Sequence, residues 1–147
     1  MSAKQEKFWK ETPLELLNRS QWEALCDRCG KCCLHRFEDP ETHEILFTNV
    51  CCSYLDTASG NCLDYPNRAR NVPDCVTLTP EMLQEPHWLP QTCAYRLLAE
   101  HKELPGWHPL VSGRPETLFN SGHFVGGRVI SELDADALEH HLVDWIR

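Results

Sequence analysis

Four cysteines fall within eight residues of this chain, at Cys26, Cys29, Cys32 and Cys33, and five more follow at Cys51, Cys52, Cys62, Cys75 and Cys93. Three chemistries use thiols in such numbers: disulfide bridging, redox exchange and metal binding. Disulfides need an oxidising compartment, and the opening residues 1–7 carry no apolar export segment, so a cytoplasmic location is expected. Nine is also an odd number, which leaves at least one thiol over. A redox Cys-x-x-Cys usually lies near a βαβ pattern, and none surrounds Cys26 and Cys29. A c-type haem needs His directly after the second cysteine of the pair, and the run offers Cys33 after Cys32 instead. Clustered cysteines in a cytosolic chain then read first as metal ligands.

The x2, x2 spacing of Cys26, Cys29 and Cys32 is the one by which bacterial ferredoxins present three ligands to a [4Fe–4S] cluster. Gly30 can take a positive φ there and bring backbone N–H groups close to sulfur. A fourth ligand has to come from far along the chain. Zinc more often uses two separated Cys-x-x-Cys pairs, and the second pair is missing, although four scattered thiolates can also close on zinc. Adjacent Cys32 and Cys33 must point in different directions, so one site with bystanders and two four-coordinate sites both stay open. His35 is a further candidate ligand, and Cys93 taken alone reads equally as a small buried side chain. Arg28, Lys31, Arg36, Arg68 and Arg70 lie close in sequence to the cysteines and could offset an anionic centre.

The pattern Cys26, Cys29, Gly30, Cys32, Cys33, then Cys52 with Leu55 and Asp56, then Gly60, Cys62, Tyr65 and Arg68, then Val72, Pro73, Asp74 and Cys75 resembles the bacterial CxxCxxCC cysteine-cluster family, described as zinc- or iron-chelating. Leu78-Thr79-Pro80, the stretch from Trp88 to Leu98 and that from Leu104 to Leu110 are similar to its YcgN-type branch. The resemblance spans nearly the whole chain. It implies a metal set of Cys26, Cys29, Cys32, Cys33, Cys52, Cys62 and Cys75, with Cys93 less firmly attached. Cys51 departs from the family pattern, and its replacement by Ser is expected to be close to neutral. Flagellin lysine methylases share the CxxCxxCC signature, but only that motif.

The elements that must position these thiols are short. A chain of 147 residues is one domain's worth, expected over 1–147, and a 41% apolar fraction with ten prolines suggests that metal supports the fold. Thr12-Pro13 predicts a helix start, and Ser20 to Glu23 predicts a capping box for a helix that delivers Cys26. Leu34 to Val50 predicts a β-hairpin around residues 38–42, folding Cys52 back beside Cys33. Residues 53–76 read as loop with a turn at Ser59-Gly60-Asn61 and a short helix after Pro66, a stretch that Cys62 and Cys75 would tie to the metal. Further helices are predicted from Thr79-Pro80 and from Pro90 to about His101, a glycine-interrupted strand over residues 124–130, and an amphipathic helix over residues 135–146 with Leu138, Leu142 and Trp145 on one face. The expected fold class is therefore α+β: a small irregular domain of short helices and a hairpin around a cysteine metal centre.

A net charge of −8 argues against nucleic-acid and anionic-membrane surfaces, and no run approaches transmembrane length. There is no catalytic triad spacing, phosphate loop or dinucleotide fingerprint, so the chain leans away from being an enzyme. The function expected is an iron–sulfur protein of the [4Fe–4S] type in electron transfer or redox sensing, with an unidentified redox or protein partner. The alternatives are a zinc-stabilised interaction module and, third, a metal-dependent enzyme that uses His108 or His123. The cofactor is accordingly an iron–sulfur cluster or zinc.

Overall fold

The computed structural model describes residues 7–72, 75 and 78–146. In chain order the helices and strands are α1 (Phe8–Glu11), α2 (Arg19–Ala24), β1 (Leu34–Glu38), β2 (Ile45–Cys51), α3 (Arg68–Asn71), α4 (Ala94–Ala99), α5 (Pro109–Ser112), α6 (Glu116–Phe119) and β3 (Ile130–Ser131). Short 3-10 turns fill much of the rest, and the whole is a small irregular α+β fold. The chain groups into two compact units, one from Met1–Asp27 and Thr79–His123, the other from Arg28–Leu78 and Phe124–Arg147.

In the first unit the helix that leads to Cys26 is capped by Asn18, not by Ser20. The Asn18 Oδ1 accepts the Gln21 N–H at 2.8 Å, and the Gln21 Oε1 accepts the Asn18 N–H at 3.0 Å. Ser20 falls inside α2. Thr12 is not the expected N-cap but closes α1, its N–H donating to the Phe8 carbonyl, and Pro13 precedes a 3-10 turn over Leu14–Leu16 with no side-chain cap. The end of α2 is buried at Leu25, and the Tyr95 hydroxyl from α4 donates to the Trp22 carbonyl at 2.7 Å. The expected helix after Pro90 starts late, at Ala94, and the one at Pro80 is a 3-10 turn over Pro80–Gln84.

In the second unit β2 is the central strand. It pairs antiparallel with β1 (Leu34 opposite Cys51, Glu38 opposite Ile45) and parallel with β3 (Cys51 opposite Ser131). The hairpin expected from the sequence is present. Its turn is fixed by Asp39, whose Oδ1 accepts the Glu41 and Thr42 N–H groups, which holds its carboxyl below the usual range. Leu34, Phe47, Cys51, Leu55, Val125 and Ile146 form the core. The middle stretch holds its turn at Gly60 and a short helix after Pro66, α3, as expected. Pro73, Asp74 and Val76 of that stretch lie outside the described residues.

Two expected elements are different. The strand over residues 124–130 shrinks to Ile130–Ser131, because the chain turns at Gly126 and Gly127 before it reaches β2. The amphipathic helix over residues 135–146 is replaced by a 3-10 turn, Leu138–His141, and an extended tail. Burial alternates along that tail, with Val143 and Trp145 packed on the core and Leu142 exposed. Its backbone bonds to β2, through a bridge from Leu142 to Thr48 and the Val143 N–H to the Phe47 carbonyl at 3.0 Å. The apolar residues thus serve a period of two, and free strand-edge groups outcompete intrahelical bonds.

Gly60 and Gly127 share a left-handed backbone, φ +80° and +82°, but not their surroundings. A Cβ on Gly60 would lie 2.0 Å from the Arg28 carbonyl oxygen, whereas one on Gly127 would meet open space. Gly127→Ala should cost only the left-handed penalty of ~1–2 kcal/mol. Gly60→Ala should cost clearly more; equal shifts in the denaturant midpoint of the two variants would show that the close approach carries no weight.

The Asp136 carboxylate ties the C-terminal turn, with His140 Nδ1 3.0 Å from its Oδ2 and His141 Nε2 at its Oδ1. The hydrogen bond to Asp136 raises the His140 pKa, and the two imidazoles lower that of Asp136. The His140 contribution to stability is therefore complete below the ordinary imidazole pKa and lost as pH rises through the elevated folded value. An NMR titration should place the His140 pKa above that of an ordinary imidazole, and Asp136→Asn should return it there.

Candidate metal centre

Two left-handed residues shape the start of the cysteine run. Arg28 has φ +69° and Gly30 φ +83°, so the chain reverses on either side of Cys29. Gly30 is required twice over, since a Cβ would also come within 2.6 Å of the Val125 side chain. The turn is strapped from outside: the Val125 N–H donates to the Cys29 carbonyl at 3.0 Å. Residues Lys31–Cys33 then form a 3-10 turn, and the Cys52 N–H donates to the Cys33 carbonyl at 2.8 Å. The expected return of Cys52 beside Cys33 is thus achieved by one backbone bond at the mouth of the hairpin. Cys62 is brought in by a bridge to Leu55 and by the Leu63 N–H on the Tyr54 carbonyl at 2.7 Å.

These straps gather five thiols of the second unit into one electrostatic neighbourhood. The Cys33 thiol is pushed far up, first by its hydrogen bond with Cys32, then by burial, then by the charges of Cys32, Cys52 and Cys75. Burial also pushes up Cys52 and Cys75, and Cys62 adds to both. Arg68 pulls Cys75 the other way. Among the described residues no three cysteine sulfurs lie within 4.8 Å of one another, so the thiols are neighbours without forming a closed shell. Two of the sulfurs accept backbone N–H groups from two residues on: Lys31 to Cys29 Sγ at 3.5 Å, and Tyr54 to Cys52 Sγ at 3.4 Å. Such donors favour the thiolate, the form that binds metal.

Cys26 and Cys93 are half-buried and belong to the first unit, Cys26 just after α2 and Cys93 at the start of α4. His108 is fully buried in that unit and committed through both ring nitrogens. Its Nε2–H donates to the Leu25 carbonyl at 2.7 Å, and its Nδ1 accepts the Leu110 N–H at 3.0 Å. His108 is therefore a brace that fixes the residue before Cys26, and it has no nitrogen left for metal or substrate. His123 stacks on Trp107 with centroids 4.2 Å apart. His35 does not point its bonding to sulfur but to Glu132, at 2.9 Å. Glu132 itself was not foreseen, since nothing in its sequence neighbourhood marks it as a partner of residues eighty positions earlier.

Comparison with known proteins now has a geometry to meet. The CxxCxxCC family, "Putative zinc- or iron-chelating domain", matches residues 25–94. A UPF0260 protein of Rhizorhabdus wittichii is 56% identical over 137 residues, 93% of this chain and 94% of that protein. The chain belongs to the UPF0260 family. Its relatives in Gluconobacter oxydans and Parvibaculum lavamentivorans are 50% identical over 145 residues and 48% over 147, covering 99% of this chain and 89% and 96% of theirs. No solved structure matches. Metal chelation is the chemistry described for the domain, and the donor set of this UPF0260 chain fits it: soft thiolates suit zinc and iron–sulfur groups alike. Among the described residues no helix is long and apolar enough to cross a membrane.

Cys51 has a place in the fold that the sequence did not show. It is 2% exposed and part of the core with Leu34 and Val125. The expectation that Cys51→Ser is neutral is therefore corrected. A hydroxyl placed there should cost ~1–3 kcal/mol, whereas Cys51→Ala should cost less and neither should change metal content. Loss of bound metal in Cys51→Ser, measured beside the unfolding midpoint, would make Cys51 a ligand after all.

Proposed function

We propose that the second unit binds its metal through Cys29, Cys32, Cys33, Cys52, Cys62 and Cys75, and that the group is an iron–sulfur cluster serving electron transfer or redox sensing. The observation that carries this reading is the gathering of Cys32, Cys33, Cys52, Cys62 and Cys75 from four stretches of chain into one neighbourhood where burial and the surrounding thiols raise the cost of ionising Cys33, Cys52 and Cys75. Such crowding is favourable only when a cation shares the charge. When bound, an iron–sulfur cluster would supply reversible one-electron chemistry. The chain's own part is to hold the thiolates, to donate Lys31 and Tyr54 N–H groups to sulfur, and to set Arg68 against Cys75. Cys32 is exposed, so the centre has one edge open to an exchange partner.

Zinc without chemistry is the second reading, and one observation favours it. The Glu132 carboxylate accepts the Ser53 N–H, next to Cys52. Zinc takes carboxylate oxygen as well as thiolate among its donors, whereas iron–sulfur clusters are held by cysteine thiolates. An enzyme built on His108 is not carried forward, because both its nitrogens are engaged.

Anaerobic purification with iron, zinc and acid-labile sulfide analysis decides between the two. The expected result is a coloured protein with iron and sulfide in near-equal amounts, which Cys62→Ser loses together with thermal stability. Zinc without sulfide would replace the first reading by the second. A folded chain that carries no metal and whose thiols all titrate freely would overturn both.

A further inference from the structure

Residues 51–53, which present Cys52, are gripped by a single residue far along the chain. The Glu132 N–H donates to the Cys51 carbonyl at 2.9 Å. Its Oε2 accepts the Ser53 N–H at 2.7 Å. The two residues that flank Cys52 thus both end on Glu132. The other carboxylate oxygen faces the His35 Nε2 at 2.9 Å. His35 is in turn set by the hairpin, where the Thr48 hydroxyl donates to its carbonyl at 2.7 Å. The carboxylate is therefore held from both sides, and its freedom to rotate is small.

We propose that Glu132, backed by His35, is the positioning residue of the cysteine centre, orienting Cys52 toward Cys33, Cys62 and Cys75. The proposal rests on the metal reading above. It also goes beyond the matched cysteine domain, which ends at residue 94. The stretch that begins at Phe124 then belongs to the centre as well as to the fold around it. After Cys51 the chain leaves β2 and loses its ladder partners. The Cys33 carbonyl and Glu132 fix the backbone on either side of Cys52, and the Tyr54 and Leu55 N–H groups hold its sulfur and its carbonyl. Without Glu132 the Ser53 amide loses its acceptor, and the turn can rotate the sulfur away from the others. Groups that orient metal ligands in this way are worth ~10–100-fold in affinity.

The test uses the full chain, prepared metal-free, with Co(II) alone as probe, since cobalt bound to thiolate gives an intense charge-transfer band. Glu132→Ala should weaken Co(II) binding by about 10–100-fold and alter the band at saturation. Glu132→Gln keeps an acceptor for the Ser53 N–H and should restore much of the affinity; it also serves if the Ala variant does not fold. A residue that merely supported the fold would shift the melting temperature of the metal-free chain but leave the saturated spectrum unchanged. Wild-type affinity and an unaltered band in both variants would overturn the Glu132 assignment alone. A wild-type chain that gives no thiolate–cobalt band would overturn the metal reading, and this proposal with it.

Discussion

Thiolates repel one another, and the second unit is arranged around that fact. Burial and neighbouring sulfurs both push the Cys33, Cys52 and Cys75 thiols toward the neutral form. Side-chain attraction cannot hold such a group together, so the backbone does. The Val125 N–H on Cys29, the Cys52 N–H on Cys33 and the Leu63 N–H on Tyr54 are main-chain bonds that do not depend on what the sulfurs bind. The frame is thus set by peptide groups, and the sulfurs are left for chemistry.

The frame is thin elsewhere. Four of the six α-helices among the described residues, α1, α3, α5 and α6, have four residues each. Helices of this length are not stable alone. They are turns fixed by what surrounds them, as α5 is by the His108 ring that accepts the Leu110 N–H at its start. Ordering each backbone residue costs ~1–2 kcal/mol, and a segment such as residues 53–72 buries little apolar surface beyond Leu55 to offset it. Bonds to a metal would act on this stretch where the core does not reach.

Local signals in the sequence were sound where a contact was local. The hairpin could be read because Glu38 to Thr42 is rich in turn formers between two apolar runs, and Gly30 because its place among cysteines calls for a positive φ. One failure is local: Asn18 takes the cap two residues before Ser20, through Gln21. The larger failures share a non-local origin. Leu138, Leu142 and Trp145 fit a helical face, but the edge of β2 offered the tail backbone partners that no pattern of side chains can announce. For the same reason the thiol run was legible and Glu132 was not. A cysteine motif is written in neighbouring letters, whereas a carboxylate that reaches Ser53 across the chain leaves no local trace. Arg28, left-handed without being glycine, was equally hidden.

The second unit is discontinuous, with Arg28–Leu78 completed only by Phe124–Arg147. On a ribosome that order becomes a schedule. Chains grow at ~5–20 residues per second, so the thiols up to Cys75 emerge seconds before Val125 and Glu132 can close on them. During that interval the nascent chain is a string of unstrapped sulfurs, open to any thiophilic ion or oxidant in reach. Any metal loading would then need those sulfurs kept reduced until residues 124–147 arrive.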